Sequence, residues 1–180
     1  KDMYNPNMVL LEHENPLQRP DRYYRFLEEE CGKYNHVFYV FGNHEHYGST
    51  YHKTFEHVRP QLPDNIHLLE KEMFELDGVI FLGATLWTDC NKGDPLTLYH
   101  LQGMMNDYRV IVNDDHGYTK LRPAHTMYRH QQTLGYFKNV IDDRKDKTIV
   151  VLNCGRGDHV VFSHVLKDIK NPEVFTCYAD

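Results

Sequence analysis

The feature that most constrains the fold is an apolar run, Val37–Phe41, followed directly by Gly42-Asn43-His44-Glu45. An uninterrupted apolar run of this length predicts a buried strand. A glycine at its end lets the backbone turn sharply. Asn43 and His44 are then expected at the carboxyl edge of a sheet, where open α/β folds place their ligands. An amide oxygen can bind a hard cation, and an imidazole can bind metal, contact a phosphate oxygen or move a proton.

The rest of the chain alternates predicted helices with predicted strands. Helices are expected over 21–31, 50–58 and 122–141, and strands over 8–11, 36–41, 66–69, 73–76, 79–84, 148–152 and 159–162. Asp77-Gly78 between two of these strands is a strong hairpin signal. Residues 88–120 have few periodic signals and predict an excursion across the mouth of the site. Together these patterns favour a layered α/β domain with a mixed sheet.

The Gly-Asn-His-Glu block resembles the block that calcineurin-like metallophosphoesterases carry at the end of a buried strand. Flanking segments at 21–29, 81–89 and 105–109 strengthen the resemblance to the small phage- and bacterial-type branch of that family. A single domain over 1–180 is expected, with the resemblance clearest over 21–151. The resemblance implies a sandwich of mixed sheets flanked by helices. It also implies a hydrolase in which divalent metal, two ions of Mn, Fe, Zn or Mg, activates water to cleave a phosphomonoester or phosphodiester.

Several motifs of that family are absent from this sequence. There is no Asp-x-His before the Gly-Asn-His block and no Gly-His-x-His, and the two Gly-Asp pairs, Gly93-Asp94 and Gly157-Asp158, come after that block instead of before it. Because Lys1 is not a methionine, the missing first motifs are expected upstream of it if the protein is an enzyme. The alternative hypothesis is a degenerate or truncated phosphoesterase fold that acts as a non-catalytic binding or structural module.

The resemblance assigns roles by position. Asn43 would bind a metal, and His44 would be catalytic, contacting the phosphate and protonating the leaving oxygen. Glu14 would replace a bridging aspartate as a metal ligand, although a solvated turn explains it as well. His164 follows an apolar segment and is a candidate for a later metal ligand, provided that residues were inserted before it. Asn153 could also offer its side-chain oxygen.

The roles of three other residues stay open. Asp89 follows a predicted strand. It is a candidate substrate contact, an acid that orients the metal ligands without binding metal itself, or the cap of a helix or turn. Arg109 could hold a substrate phosphate through two hydrogen bonds, or form a structural ion pair with Asp107. His46 would share a metal with His44 if the segment is extended, because residues two apart on a strand point to the same face.

Composition narrows the class of partner. The formal net charge of −6 argues against broad electrostatic binding to nucleic acid or to a membrane, but not against a phosphate-ester substrate, because bound metal reverses the local field. Four scattered cysteines and the lack of a long apolar run predict a cytoplasmic protein with free thiols. The sequence does not identify the substrate, the metal or the oligomeric state.

Overall fold

The computed structural model describes residues 16–17, 20–29, 31–115, 117–154 and 174–178. The predicted strands over 8–11 and 159–162 lie outside these residues. The described chain is a mixed α/β structure, as the sequence predicts. Its helices are α1 Pro20–Glu29, α2 Tyr51–Val58, α3 Cys90–Gly93, α4 Pro95–Met104, α5 Asp107–Val110 and α6 Pro123–Asp143. Its strands are β1 Val37–Tyr39, β2 Ile66–Leu68, β3 Glu72–Leu76, β4 Val79–Thr85, β5 Val112–Asn113, β6 Thr119–Lys120, β7 Thr148–Cys154 and β8 Val174–Tyr178.

The strands form three groups. β1 and β2 pair in parallel. A mixed sheet has the order β3-β4-β7-β8, in which β3 is antiparallel to β4, and the β4–β7 and β7–β8 pairs are parallel. β5 and β6 form a short antiparallel pair. Strand β1 is shorter than predicted, because Val40 and Phe41 continue beyond the last residue that pairs with β2.

Local signals explain where several elements begin and turn. Thr50 caps α2 by accepting a hydrogen bond from the backbone nitrogen of Lys53 at 3.1 Å. Asp77 and Gly78 both have positive φ, 50° and 80°, as a tight turn between β3 and β4 requires. Pro123 lies in the first turn of α6, where its missing N–H removes no helical hydrogen bond.

Buried apolar side chains form three clusters. One joins β4, β7 and α6, and includes Leu82, Phe137 and Val151. A second packs α1 and α2 against β1 and β2, and the third surrounds Trp87. The four-stranded sheet lies close to the β1–β2 pair at Gly83. A Cβ atom at this position would collide with the side chain of Leu69, which directly follows β2. These contacts hold the ends of β1 and β4 in one place.

Residues 88–120 have more regular structure than the sequence suggests. They contain α3, α4, α5 and the β5–β6 pair. Within α3, Asn91 and Lys92 have positive φ, so the chain reverses there instead of continuing as a helix. Within the described chain, every helix is too short or too polar to cross a bilayer.

Candidate functional site

The carboxyl ends of three strands meet at one edge of the structure. β4 and β7 are parallel, with Ala84 opposite Asn153 in the register. The Thr85 hydroxyl donates to the carbonyl of Phe41 at 2.8 Å, which ties the end of β4 to the segment after β1. Asn43 and His44 follow Phe41 directly. The motif therefore lies at the edge where the sequence predicts it.

A buried carboxylate shapes the turn after β1. Glu45 accepts hydrogen bonds from the backbone nitrogen of Gly42 at 2.9 Å and from the Tyr39 hydroxyl at 2.8 Å. Tyr23 in turn donates to the Tyr39 oxygen at 3.0 Å. Burial raises the pKa of Glu45, while these hydrogen bonds lower it. Glu45 is thus occupied in holding the turn that presents Asn43, and it is not an exposed ligand.

The amide of Asn43 has a fixed orientation. Its Nδ2 donates to Oδ1 of Asp107 at 2.6 Å. The other carboxylate oxygen accepts from the Tyr47 hydroxyl at 3.3 Å, and Asp107 is only 4% exposed. Because an ionised carboxylate can only accept hydrogen bonds, the amide nitrogen must face Asp107 and the amide oxygen must point elsewhere. Among the described residues, none donates a hydrogen bond to that oxygen.

His44 and His46 differ completely in environment. They belong to a single 3-10 turn, not to an extended segment, so their rings do not share a face. His44 is half-buried, with its ring centroid 4.7 Å from that of Tyr47. His46 is fully buried and lies among aromatic rings, including those of Phe41 and Tyr51. The condition for His46 and His44 to share a metal, an extended segment, is therefore not met.

Burial sets the protonation state of His46. Burial lowers its pKa to about 3, and the nearby charges of Arg129 and His52 act in the same direction. Neither ring nitrogen has a hydrogen-bond partner in the described chain. His46 is consequently a neutral ring in an aromatic cluster.

Asn153 lies near the end of β7, and Asp89 follows β4 along the chain. Asn153 is 7% exposed, and its Nδ2 has no hydrogen-bond partner among the described residues. Asp89 is half-buried after β4, and its backbone oxygen accepts from Gly93 at 2.9 Å. The charge of Asp89 also raises the pKa of the buried His130, although burial has the larger effect and lowers it. Sequence reasoning missed His130, because a buried histidine on a long helix has no distinguishing local signal.

Arg109 does not contact Asp107. Its side chain is exposed and donates to the carbonyl of Gly103, while Asp107 bonds to Asn43 and Tyr47. The expected ion pair between Asp107 and Arg109 is therefore wrong. A substrate contact by Arg109 or Asp89 stays a prediction. The remaining predicted ligands, Glu14 and His164, lie outside the described residues.

A second group of polar side chains lies at the start of α2. His52 Nε2 is 2.8 Å from Asp115 Oδ1, and ligand atoms of His52, Asp114 and Asp115 lie within 4.8 Å of one another. In the described chain it is the one group of three His, Cys, Asp or Glu residues close enough to hold a metal ion. Sequence reasoning missed it, because the segments of His52 and Asp115 are 63 residues apart.

The carboxylates of that group already have partners. Arg129 donates from one nitrogen to both oxygens of Asp115, at 3.0 and 2.9 Å. Asp114 accepts from the Thr50 hydroxyl and from the backbone nitrogen of His52, so it caps the start of α2. Burial would raise the pKa of Asp115, but the hydrogen bond from His52 and the charge of Arg129 hold it below its usual value. A structural role accounts for each of these acids.

The chain is similar to one uncharacterised protein of Acanthamoeba polyphaga mimivirus. The two are 27% identical over 146 residues, which is 77% of this chain and 50% of the viral protein. The chain thus spans about half the length of the relative it matches. No family model matches the chain. No solved structure matches it either.

Proposed function

We propose that this protein is a metal-dependent phosphoesterase with its site at the shared ends of β1, β4 and β7. The observation that carries the proposal is the hydrogen bond from Asn43 to the buried Asp107. It turns the Asn43 oxygen away from Asp107 and keeps a negative charge close behind it. A hard divalent cation prefers this combination of an oxygen ligand and a nearby carboxylate. The proposal includes the calcineurin-like sandwich of sheets that the sequence resemblance implies.

The described residues supply part of a metal site. The Asn43 oxygen would hold a cation, and Asn153 lies at the same edge. No three-residue group of His, Cys, Asp or Glu occurs at this edge within the described chain, so further ligands must come from other residues. A bound divalent ion would lower the pKa of a coordinated water and stabilise charge on the phosphoryl oxygens. His44, next to Asn43, is the group that would donate a proton to the leaving oxygen.

The proposal is tested by measuring hydrolysis of p-nitrophenyl phosphate and bis-p-nitrophenyl phosphate with added Mn²⁺. His44→Ala should lower the rate by about a hundredfold or more, as expected for loss of a general acid. Asn43→Ala should raise the Mn²⁺ concentration needed for half-maximal activity. His57→Ala is a matched control, because His57 is an exposed histidine of α2. Equal rates for the wild type and His44→Ala would reject the proposed role.

The incomplete donor set favours a second candidate, a phosphoesterase-like fold that no longer catalyses and serves as a binding module. This candidate predicts a stable protein that holds no stoichiometric Mn²⁺ and hydrolyses neither ester. Metal analysis after dialysis, together with the same two assays, separates the candidates. Bound Mn²⁺ that is lost in Asn43→Ala would exclude the module.

A further inference from the structure

The lining of an open cavity of about 550 Å³ includes Gln102, Lys120 and Arg122. Gln102 is on α4, Lys120 ends β6, and Arg122 immediately precedes α6. None of them belongs to the turn after β1 or to the ends of β4 and β7. The cavity is therefore a separate feature of the surface from the site proposed above.

The three described side chains that line this cavity have no partners among the described residues. Neither cation forms an ion pair or a side-chain hydrogen bond with a described residue, and the Gln102 amide forms none either. Other exposed cations of the protein do pair, as Arg59 does with Glu72 at 3.1 Å. Unpaired Lys120 and Arg122 on one cavity are notable in a protein with a net charge of −6.

Helix α4, strand β6 and the first turn of α6 contain no Asp or Glu, although Asp94 caps the start of α4. The positive end of the dipole of α6, a 21-residue helix, adds to the local field at Arg122. An anion that enters here meets a planar guanidinium, an ammonium and an amide donor, which together suit the oxygens of a phosphate group.

Exposed apolar side chains on α4, the helix that carries Gln102, suggest what the phosphate is attached to. Helix α4 has no buried residue, and Leu96, Tyr99 and Met104 are 63%, 77% and 77% exposed. Exposed apolar side chains next to cations are typical of surfaces that meet an amphiphilic ligand. The cavity is also larger than a bare phosphate ion needs.

We propose that Gln102, Lys120 and Arg122 form a binding site for a phosphate group, carried either by a soluble phosphate compound or by the headgroup of an anionic lipid. The proposal does not rest on the phosphoesterase activity. The probes are pyrophosphate, titrated by calorimetry in the presence of EDTA, and phosphatidylcholine vesicles with or without phosphatidylglycerol, assayed by co-sedimentation.

The decisive variant is Lys120→Gln with Arg122→Gln, which removes both charges and keeps polar side chains of similar size. Its matched control is Arg144→Gln with Lys145→Gln, an equal change of net charge just after the other end of α6. The wild type and the control should bind one of the probes, and the double variant should bind it about tenfold more weakly or less. Asn43→Ala should bind as the wild type does, which separates this site from the proposed catalytic one.

Each outcome of these binding assays either identifies the ligand class or rejects the proposal. Binding of pyrophosphate that depends on Lys120 and Arg122 identifies a soluble phosphate compound as the ligand class. Sedimentation only with phosphatidylglycerol vesicles, lost in the double variant, identifies a lipid headgroup. Binding of neither probe, or equal binding by the wild type and the double variant, would overturn the proposal. Because Lys120 and Arg122 are exposed and have no partners among the described residues, circular dichroism melting should show the same stability for the wild type and the double variant.

Discussion

Asp107 and Asp115 both accept hydrogen bonds from the side chain of a distant residue, but their partners differ in charge. Asp107 bonds to the neutral amide of Asn43 and to the Tyr47 hydroxyl, and it pairs with no cation among the described residues. Asp115 bonds to the guanidinium of Arg129, which neutralises it. Proximity of acids and histidines therefore does not by itself define a cation site. What matters is whether the acid keeps its charge and which atoms it turns outward.

His46 lies between these two regions and gives the largest expected effect. Its pKa in the folded protein, about 3, is below its ordinary value of 6.5. The unfolded chain therefore binds the proton more readily, so the stabilisation is present above pH 6.5 and is lost as the pH falls towards 3. From pH 7 to pH 4 the free energy of unfolding should fall by about 3 kcal/mol through this group.

Urea unfolding of the wild type and of His46→Phe at these two pH values measures this contribution. The phenyl ring keeps an aromatic side chain among Phe41 and Tyr51 and cannot be protonated, so the acid-induced loss should shrink. His57→Phe, at an exposed position, should leave the loss as it is. An identical pH dependence for the wild type and His46→Phe would contradict the assignment of His46 as a buried neutral ring.

Arg129→Met should make the surroundings of Asp115 resemble those of Asp107. The substitution leaves Asp115 without its cation, and the free energy of unfolding should fall by about 2 kcal/mol, less than for a fully buried pair because Asp115 is partly exposed. The freed carboxylates of Asp114 and Asp115 with His52 should then bind Zn²⁺ that the wild type does not bind there. Calorimetric titration of Zn²⁺ measures the additional site.

Arg129→Lys is the control, because it keeps a positive charge near Asp115 and should gain no Zn²⁺ site. If His52→Ala removed a Zn²⁺ ion from the otherwise unaltered protein, the cluster would already be a metal site. The contrast between Asp107 and Asp115 would then fail.

Asp107→Ala has the smallest expected effect on stability but a specific effect on the site. Loss of the acceptor leaves the Asn43 amide free to rotate and should cost about 1 kcal/mol of unfolding free energy. Mn²⁺ binding should weaken by about tenfold, because the oxygen of Asn43 is no longer held outward. A Mn²⁺ titration followed by electron paramagnetic resonance measures the change.

Asp107→Asn should restore part of the Mn²⁺ affinity, since its oxygen can accept the same hydrogen bond from Asn43. Asp146→Ala, a surface acid after α6, serves as a control that removes one negative charge elsewhere. Unchanged Mn²⁺ binding in Asp107→Ala would show that Asp107 supports the fold and does not position the ligand.

Much of the local structure could be predicted from the sequence. The helix that begins near Thr50, the Asp77-Gly78 turn and the end of the buried strand at Gly42 depend on the intrinsic conformations of a few neighbouring residues. The secondary structure of segment 88–120 is harder to predict from the sequence, because its helices are short and helix α4 has no polar face to reveal its period.

The site was predictable only in part, for the same reason. The sequence placed Asn43 and His44 at a strand end, but paired Asp107 with its neighbour Arg109. In the structure Asp107 bonds to a residue 64 positions away. Such a pairing forms only because the tertiary fold brings α5 next to the turn after β1. No local sequence pattern encodes that proximity.

By itself, the sequence determined the secondary structure around the motif, because short-range backbone preferences and a buried apolar run act over a few residues. Tertiary structure decided which acid bonds to neutral groups, which acid pairs with a cation and which histidine is buried. The physical reason is that hydrogen-bond partners and local solvation are set by chain segments brought together on folding. The Asn43 oxygen is presented outward only because Asp107 is buried behind its amide nitrogen.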